Sequence, residues 1–259
     1  MQVRVLGGYG GLCPGRLLTS FLIDSQLTMD AGSLAASLDI AEQGLIRHIL
    51  VTHSHLDHTG TLPFFADNIF GVNTQPVSIL GIPETIKSLK ANLFNNDIWP
   101  DFSVLPNLAS PTIVFAELDD ETPTRVGDYT VTAVRVNHTV PAVGFIIDRG
   151  DTSILFTGDT AETDRLWEVA AGQANLRAAF IETSFPNRLQ NIADLSGHLT
   201  PRTLKGELGK LDRDLPVYVY HIKPRFYAEI ESELAALGRP QLRIVEQGKT
   251  YGFGPEPPA

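Results

Sequence analysis

Short stretches in which apolar and polar residues alternate, rich in β-branched side chains and punctuated by Gly, Pro or Asp, recur along most of the chain. That period of two predicts strands at 2–6, 19–23, 26–30, 48–52, 77–80, 112–116, 129–136, 143–148, 153–157, 177–182, 216–221 and 241–246. Between them, apolar residues recur at helical spacing over 33–42, 59–67, 83–94, 161–171, 200–210 and 225–237, with Ser33 and the Thr200-Pro201 pair as natural starts. The strands fall into two sets, each followed by helices, and no linker-like segment divides them. The expectation is one α/β domain over 1–259, built as two sheets packed face to face with helices outside. The last stretch, GPEPPA at 254–259, reads as a frayed tail.

Composition narrows the class. With 259 residues, 43% hydrophobic and 19% charged, the chain can bury a substantial core, and it has no apolar run long enough to span a bilayer. MQVRVLGGYGG enters a strand pattern without the basic and apolar regions of a secretory signal, so the expected location is cytoplasmic. Twenty basic against thirty acidic residues give a net charge of -10, which opposes attraction to tRNA or DNA and favours a small-molecule partner. Cys13 is the sole cysteine. An intrachain disulfide is thereby excluded, any metal site must use histidine and carboxylate, and Cys13 itself reads as a small loop residue.

The densest chemistry lies in ILVTHSHLDHTG, residues 49–60. His53 and His55, two apart on an extended segment, point the same way and can share one metal. Asp57 and His58 follow after the chain turns toward a helix, where they can face a second. His48, alone in the apolar run, reads as a satisfied core histidine. Further donors stand where other strands run out: His138 in VRVNHTVP, Asp159 in SILFTGDT and His221 in VYVYHIKP. Each of these taken singly could be a strand-end or turn residue; together they make a set. GGYGGLCPG at 7–15 lacks the Gly-Lys-Ser/Thr ending of a phosphate loop, and its glycines suit tight backbone turns near the site.

HSHLDH followed by His138, Asp159 and His221 resembles the metallo-β-lactamase superfamily over nearly the whole chain. The resemblance implies a four-layer αβ/βα sandwich with two mixed sheets and a two-metal site at one edge. It also implies His53, His55 and His138 on one ion, Asp57, His58 and His221 on the other, and Asp159 bridging both. An aspartate bridge is similar to the phosphodiesterase branch and unlike true β-lactamases. Two divalent ions about 3.5–4 Å apart suit in-line displacement at phosphorus and lower the pKa of water toward neutrality. Zn²⁺ is the expected metal, with Mn²⁺ or Fe²⁺ compatible with the same ligands.

A phosphodiesterase also needs a proton donor for the leaving oxygen. FIETSFPNRLQNIADLSGHLTP offers Glu182 at a strand end and His198 before a helix, neither used by the metal set. The resemblance to tRNA 3′-end endonucleases of the superfamily implies that the carboxylate orients the imidazole; a solvated glutamate and a capping-loop histidine are the alternative. ANLFNNDIWPDFSVLP, NHTVPAVGF, ETSFPN, GHLTP and VYHIKP resemble class II 3′,5′-cyclic nucleotide phosphodiesterases, which points to cyclic AMP or cyclic GMP as substrate. After the histidine block the chain departs from that family, running TGTLPFFADN, which leaves the exact ester open. Phe94, Trp99 and Phe102 could stack on a base, with core packing as their competing role. Asn95 and Asn96 could read base or ribose edges or simply form turns, and Lys223, Arg225 and Arg188 could neutralise phosphate or sit solvated. The alternatives in function are a tRNA 3′-end endonuclease, against which the charge and the lack of a basic Gly/Pro-rich arm count, and a lactone, carboxylic or sulfate ester hydrolase. Relatives often form dimers, so a homodimer is a further expectation.

Overall fold

The computed structural model describes residues 1–73, 75–211 and 213–254, so the expected frayed tail lies, from 255 on, outside the described residues. The first sheet is built from β1 (Gln2–Gly7), β2 (Ser20–Ile23), β3 (Leu27–Met29), β4 (His48–Leu50), β5 (Val77–Gly81) and β6 (Ile113–Glu117). The second is built from β7 (Thr124–Val126), β8 (Tyr129–Val136), β9 (Ala142–Arg149), β10 (Thr152–Phe156), β11 (Leu176–Glu182), β12 (Val217–Tyr220) and β13 (Leu242–Ile244). β14 (Thr250–Gly252) returns to the first sheet beside β1. The spatial orders are β14-β1-β2-β3-β4-β5-β6 and β13-β12-β11-β10-β9-β8-β7, each sheet part antiparallel and part parallel.

Alternation along the strands separates the layers. Phe145, Ile147, Ile154, Phe156, Phe180, Tyr218 and Tyr220 face the first sheet's Val3, Val5, Phe21, Leu27 and Met29 in one buried cluster. Their neighbours Ile146, Leu155, Ile181 and Val219 point the other way, onto Leu166, Trp167, Leu204 and Ile230 of the outer helices. The first sheet's outer face packs Ile49, Val51 and Ile79 on Leu34, Leu62, Phe65 and Leu89. Phe21 anchors the inner layer, its ring 5.2 Å from Phe156 and Tyr220 and 5.5 Å from Phe180. The four-layer sandwich is as the resemblance implies.

The helices depart from expectation in instructive ways. The 33–42 segment divides into α1 (Leu34–Ser37) and α2 (Ile40–Gln43), because Leu38 is extended and Asp39 starts a new helix with a reciprocal capping box to Glu42. The 59–67 segment likewise becomes α3 (Leu56–Thr59) and α4 (Leu62–Asn68), placing Asp57 and His58 inside a helix rather than before one. α5 (Pro83–Asn92) is as expected, and α6 (Arg165–Ala171) starts four residues later than the 161 expected. α7 (Gln190–Ser196) was not legible: only Ala193 is buried, while Ile192 and Leu195 are exposed, so no apolar stripe marks it. α8 (Pro201–Leu208) and α9 (Tyr227–Ala235) complete the outer layer. The three-residue edge strands β7 and β14 are too short to show a period. His48 also differs from expectation: it is half-buried, its Nδ1 makes no hydrogen bond, and burial lowers its proton affinity.

Candidate metal centre

Chain direction explains why distant residues meet. β3 and β4 are parallel, so the residues after them, Asp30 and the His53 segment, emerge at one edge. β8 and β10 both run antiparallel to β9, and β10, β11 and β12 are mutually parallel. His138, Asp159, Glu182 and His221 therefore leave the second sheet at one edge as well. Val143 donates to the Thr52 carbonyl at 3.1 Å and stitches the two edges together.

Three overlapping donor groups result, each with ligand atoms within 4.8 Å of one another: His53, His55 and His138; Asp57, His58, Asp159 and His221; and His138, Asp159 and His198. In the first, His55 Nδ1 lies 3.1 Å from His53 Nε2 and 3.2 Å from His138 Nε2. The outer nitrogen of His138 donates to the Gly197 carbonyl at 2.9 Å, so its Nε2 carries a lone pair inward. Thr52 Oγ1 gives its proton to Asp30 and sits 3.0 Å from His53 Nδ1, which fixes His53 the same way. Burial lowers the proton affinity of all three imidazoles. Lone pairs thus converge on a point where protons are disfavoured, a donor set suited to a Lewis acid.

The second group is more anionic. Asp159 Oδ2 lies 3.2 Å from His58 Nε2, 3.1 Å from His221 Nε2 and 3.8 Å from His53 Nε2, so it stands between the groups. Asp159 Oδ1 and His221 Nε2 are buried without a hydrogen bond. His58 would lose proton affinity through burial, but Asp159 and Asp30 outweigh that and raise it well above the usual imidazole range. Two buried carboxylates around one imidazole call for positive charge. The orphaned atoms, inward lone pairs and net charge of the cluster fit two divalent cations.

Supporting residues hold this arrangement, and the sequence reading missed them. Asp30, fully buried, accepts from Thr52 N at 2.9 Å and lies 2.6 Å from His58 Nδ1. Thr19 Oγ1 is 2.9 Å from His221 Nδ1. Asp30 and His221 both adopt left-handed backbone, at φ 59 and 63, which for such residues costs about 1–3 kcal/mol each and is kept where a site over-determines it. The available signal for Asp30 was its position just past the strand beside the His53 strand. Gly10 shows what the glycine-rich loop is for: a Cβ there would come within 2.5 Å of the His221 ring. Asp30→Asn is expected to weaken metal affinity about 10- to 100-fold, as for other partners of ligating histidines, measured by competition with a chromogenic chelator; unchanged affinity would deny Asp30 that role.

His198 and Glu182 come together as expected. His198 Nδ1 lies 2.8 Å from Glu182 Oε1 and 4.0 Å from Asp159 Oδ2, with Glu182 fully buried. Burial alone would lower His198, but Glu182 and then Asp159 outweigh it and raise its proton affinity. Ser184 Oγ reaches Glu182 Oε2 at 3.2 Å and the His221 carbonyl at 3.1 Å, tying the pair to the metal-facing strand end. Lys223 Nζ, anchored on the Gly10 carbonyl at 2.6 Å, stands 3.9 Å from Asp57 Oδ2 at the rim.

The aromatic segment is placed otherwise. Phe94 and Phe102 are buried in the outer core of the first sheet, which corrects the expectation that they stack on a base. Trp99 packs partly against that cluster and edge-on to Phe64 at 5.2 Å. Asn95 Oδ1 accepts from the backbone of Asp97 and Ile98, and Asn96 Oδ1 from that of Asp101, so both are turn formers. Arg188 is paired with Glu229 at 2.8 Å, and Arg225 is exposed beside Phe226. Apolar surface in 93–112 closes the first sheet's outer layer, and that demand took the aromatics the site was expected to have.

The chain belongs to the beta-lactamase superfamily: residues 19–217 match its domain, and the two mixed sheets carry the histidine and aspartate donors described above. A ribonuclease Z of Mycobacterium sp. (strain KMS) is 28% identical over 200 residues, covering 68% of this chain and 65% of that protein. The cAMP/cGMP-dependent 3′,5′-cAMP/cGMP phosphodiesterase A of Dictyostelium discoideum is 26% identical over 211 residues, covering 59% of this chain and 46% of that protein. The chain thus matches less than two thirds of the length of these relatives. Among solved structures, unliganded yeast PDE1 superposes with a TM-score of 0.79 at 20% identity, over 96% of this chain and 98% of that one. No helix among the described residues is long and apolar enough to cross a membrane.

Proposed function

We propose that this protein hydrolyses 3′,5′-cyclic nucleotides to 5′-monophosphates, using His53, His55 and His138 for one divalent ion, Asp57, His58 and His221 for the other, and Asp159 between them. The observation that carries the reading is the buried Glu182–His198 pair at 2.8 Å: His198 lies within donor distance of His138 and Asp159, yet its Nδ1 is taken by Glu182. A lactone or carboxylic ester hydrolase on this scaffold has no need of that relay. Ions bound there would activate water and draw charge from a phosphoryl oxygen. Glu182 holds Nδ1 of His198 protonated, which leaves Nε2 to deliver a proton to the departing 3′ oxygen. Asp57, a quarter exposed at its side chain, accepts a hydrogen bond from the attacking water. Lys223 offers its ammonium to a non-bridging oxygen. The metal is Zn²⁺ in this reading, with Mn²⁺ or Fe²⁺ suited to the same donors.

Resemblance to the Dictyostelium phosphodiesterase and the net charge of -10 support a small cyclic substrate over RNA. The mycobacterial ribonuclease Z relatives favour a second reading, cleavage of an RNA phosphodiester by the same residues. Purified protein supplied with zinc or manganese is expected to consume cyclic AMP or cyclic GMP from a panel that also holds bis(p-nitrophenyl) phosphate, a lactone and precursor tRNA. Consumption of precursor tRNA or lactone with the cyclic nucleotides untouched would overturn the reading.

A further inference from the structure

With Phe94 in the core, the residues that could meet a base must be sought elsewhere, and the wall around His198 supplies them. Apart from two histidines, the ring beside His198 is Phe185, with centroids 5.8 Å apart. Phe185 is 6.1 Å from Phe226, and both are only partly buried. The guanidinium carbons of Arg188 and Arg225 each lie 5.5 Å from the Phe226 centroid. Arg188 is held by Glu229, while Arg225 is exposed and has no ion pair among the described residues. The segment carrying Phe226 is fixed from behind: Arg16 donates to the Pro224 carbonyl at 2.6 Å and is stacked on Tyr227 at 4.8 Å and Tyr9 at 5.3 Å. None of these residues belongs to the metal-facing set or the relay.

Two partly buried rings, one of them under the exposed guanidinium of Arg225, next to a site for a phosphate ester, suit a flat π ligand that carries a phosphate. We propose that Phe185, flanked by Phe226 with the Arg225 guanidinium over it, forms the face on which the base of a nucleotide stacks while its phosphate occupies the histidine and aspartate site. The assignment rests on the phosphodiester reading for its phosphate position. It places the base on the His198 side, one ring beyond the leaving oxygen, and not on the 93–102 segment.

Calorimetric titration of the zinc-loaded full chain with adenosine 5′-monophosphate and with ribose 5-phosphate tests this without turnover. The wild-type protein is expected to prefer the nucleotide. Phe185→Leu should weaken nucleotide binding about 5- to 100-fold while leaving ribose 5-phosphate within about twofold, with Phe226→Leu smaller in the same sense. Phe185→Tyr keeps the ring and should keep the preference. Equal binding of both ligands by the wild type, no binding of either, an unchanged ratio in Phe185→Leu, or loss of the ratio in Phe185→Tyr would each overturn the assignment. Nucleotide preference without hydrolysis of any cyclic nucleotide would instead count against the phosphodiesterase reading and leave the stacking face standing.

Discussion

Asp159→Ala is expected to lower the metal content of protein purified in zinc by at least one ion per chain and to abolish phosphodiester hydrolysis. The carboxylate oxygen stands 3.2 Å from His58, 3.1 Å from His221 and 3.8 Å from His53, and Asp159 belongs to two of the donor groups. Its loss removes the anionic donor that stands between the two proposed ions, and no remaining imidazole can replace that charge. Metal analysis after dialysis, with circular dichroism to confirm the fold, reads the outcome directly. Asp159→Asn keeps the volume and one acceptor oxygen but not the charge, so its metal content should lie between alanine and wild type. Two ions retained in Asp159→Ala would remove the bridging role.

What the sequence made legible follows from the range of each interaction. Strands such as β8 to β12 repeat the two-residue period long enough to be read, and their inward and outward residues sort into different cores as the pattern requires. Local breaks escape because they depend on one cap: Asp39 divides the 33–42 segment through hydrogen bonds that two competing continuations could equally have satisfied. In the site, the metal-type residues were legible because four potential donors in six positions serve no ordinary structural need. Asp30, Thr19, Thr52 and Ser184 were not, since Asp, Thr and Ser occur throughout any surface and only the parallel pairing of β3 and β4 reveals that Asp30 lies under His58. Phe94 misled for the complementary reason: an aromatic residue near a motif carries no mark of which side of the sheet it will cover, and the outer layer claimed it. Phe185 lay unnoticed within ETSFPN, next to Ser184 on one side of the relay and visible as a site residue only once His198 folds back against it.

His198→Ala should leave both metals in place and lower turnover by about two to four orders of magnitude, the range for a lost general acid. The reasoning is geometric. His198 Nδ1 is occupied by Glu182 at 2.8 Å, and Asp159 Oδ2 is 4.0 Å away, so removing the ring costs neither proposed ion a ligand. The chemistry it supplies is needed only when an alkoxide departs. A substrate whose leaving group is already a good anion, such as bis(p-nitrophenyl) phosphate, should therefore lose far less than a cyclic nucleotide, whose 3′ oxygen is a poor one. Glu182→Gln tests the other half of the pair. It keeps size and one acceptor but removes the charge that, with Asp159, outweighs burial and raises the proton affinity of the imidazole. Its expected loss follows the same leaving-group pattern, smaller than that of His198→Ala because the ring remains. If His198→Ala slowed both substrates equally, the histidine would be acting on metal placement or substrate position and not on the leaving oxygen; if it slowed neither, the relay would have no part in the reaction.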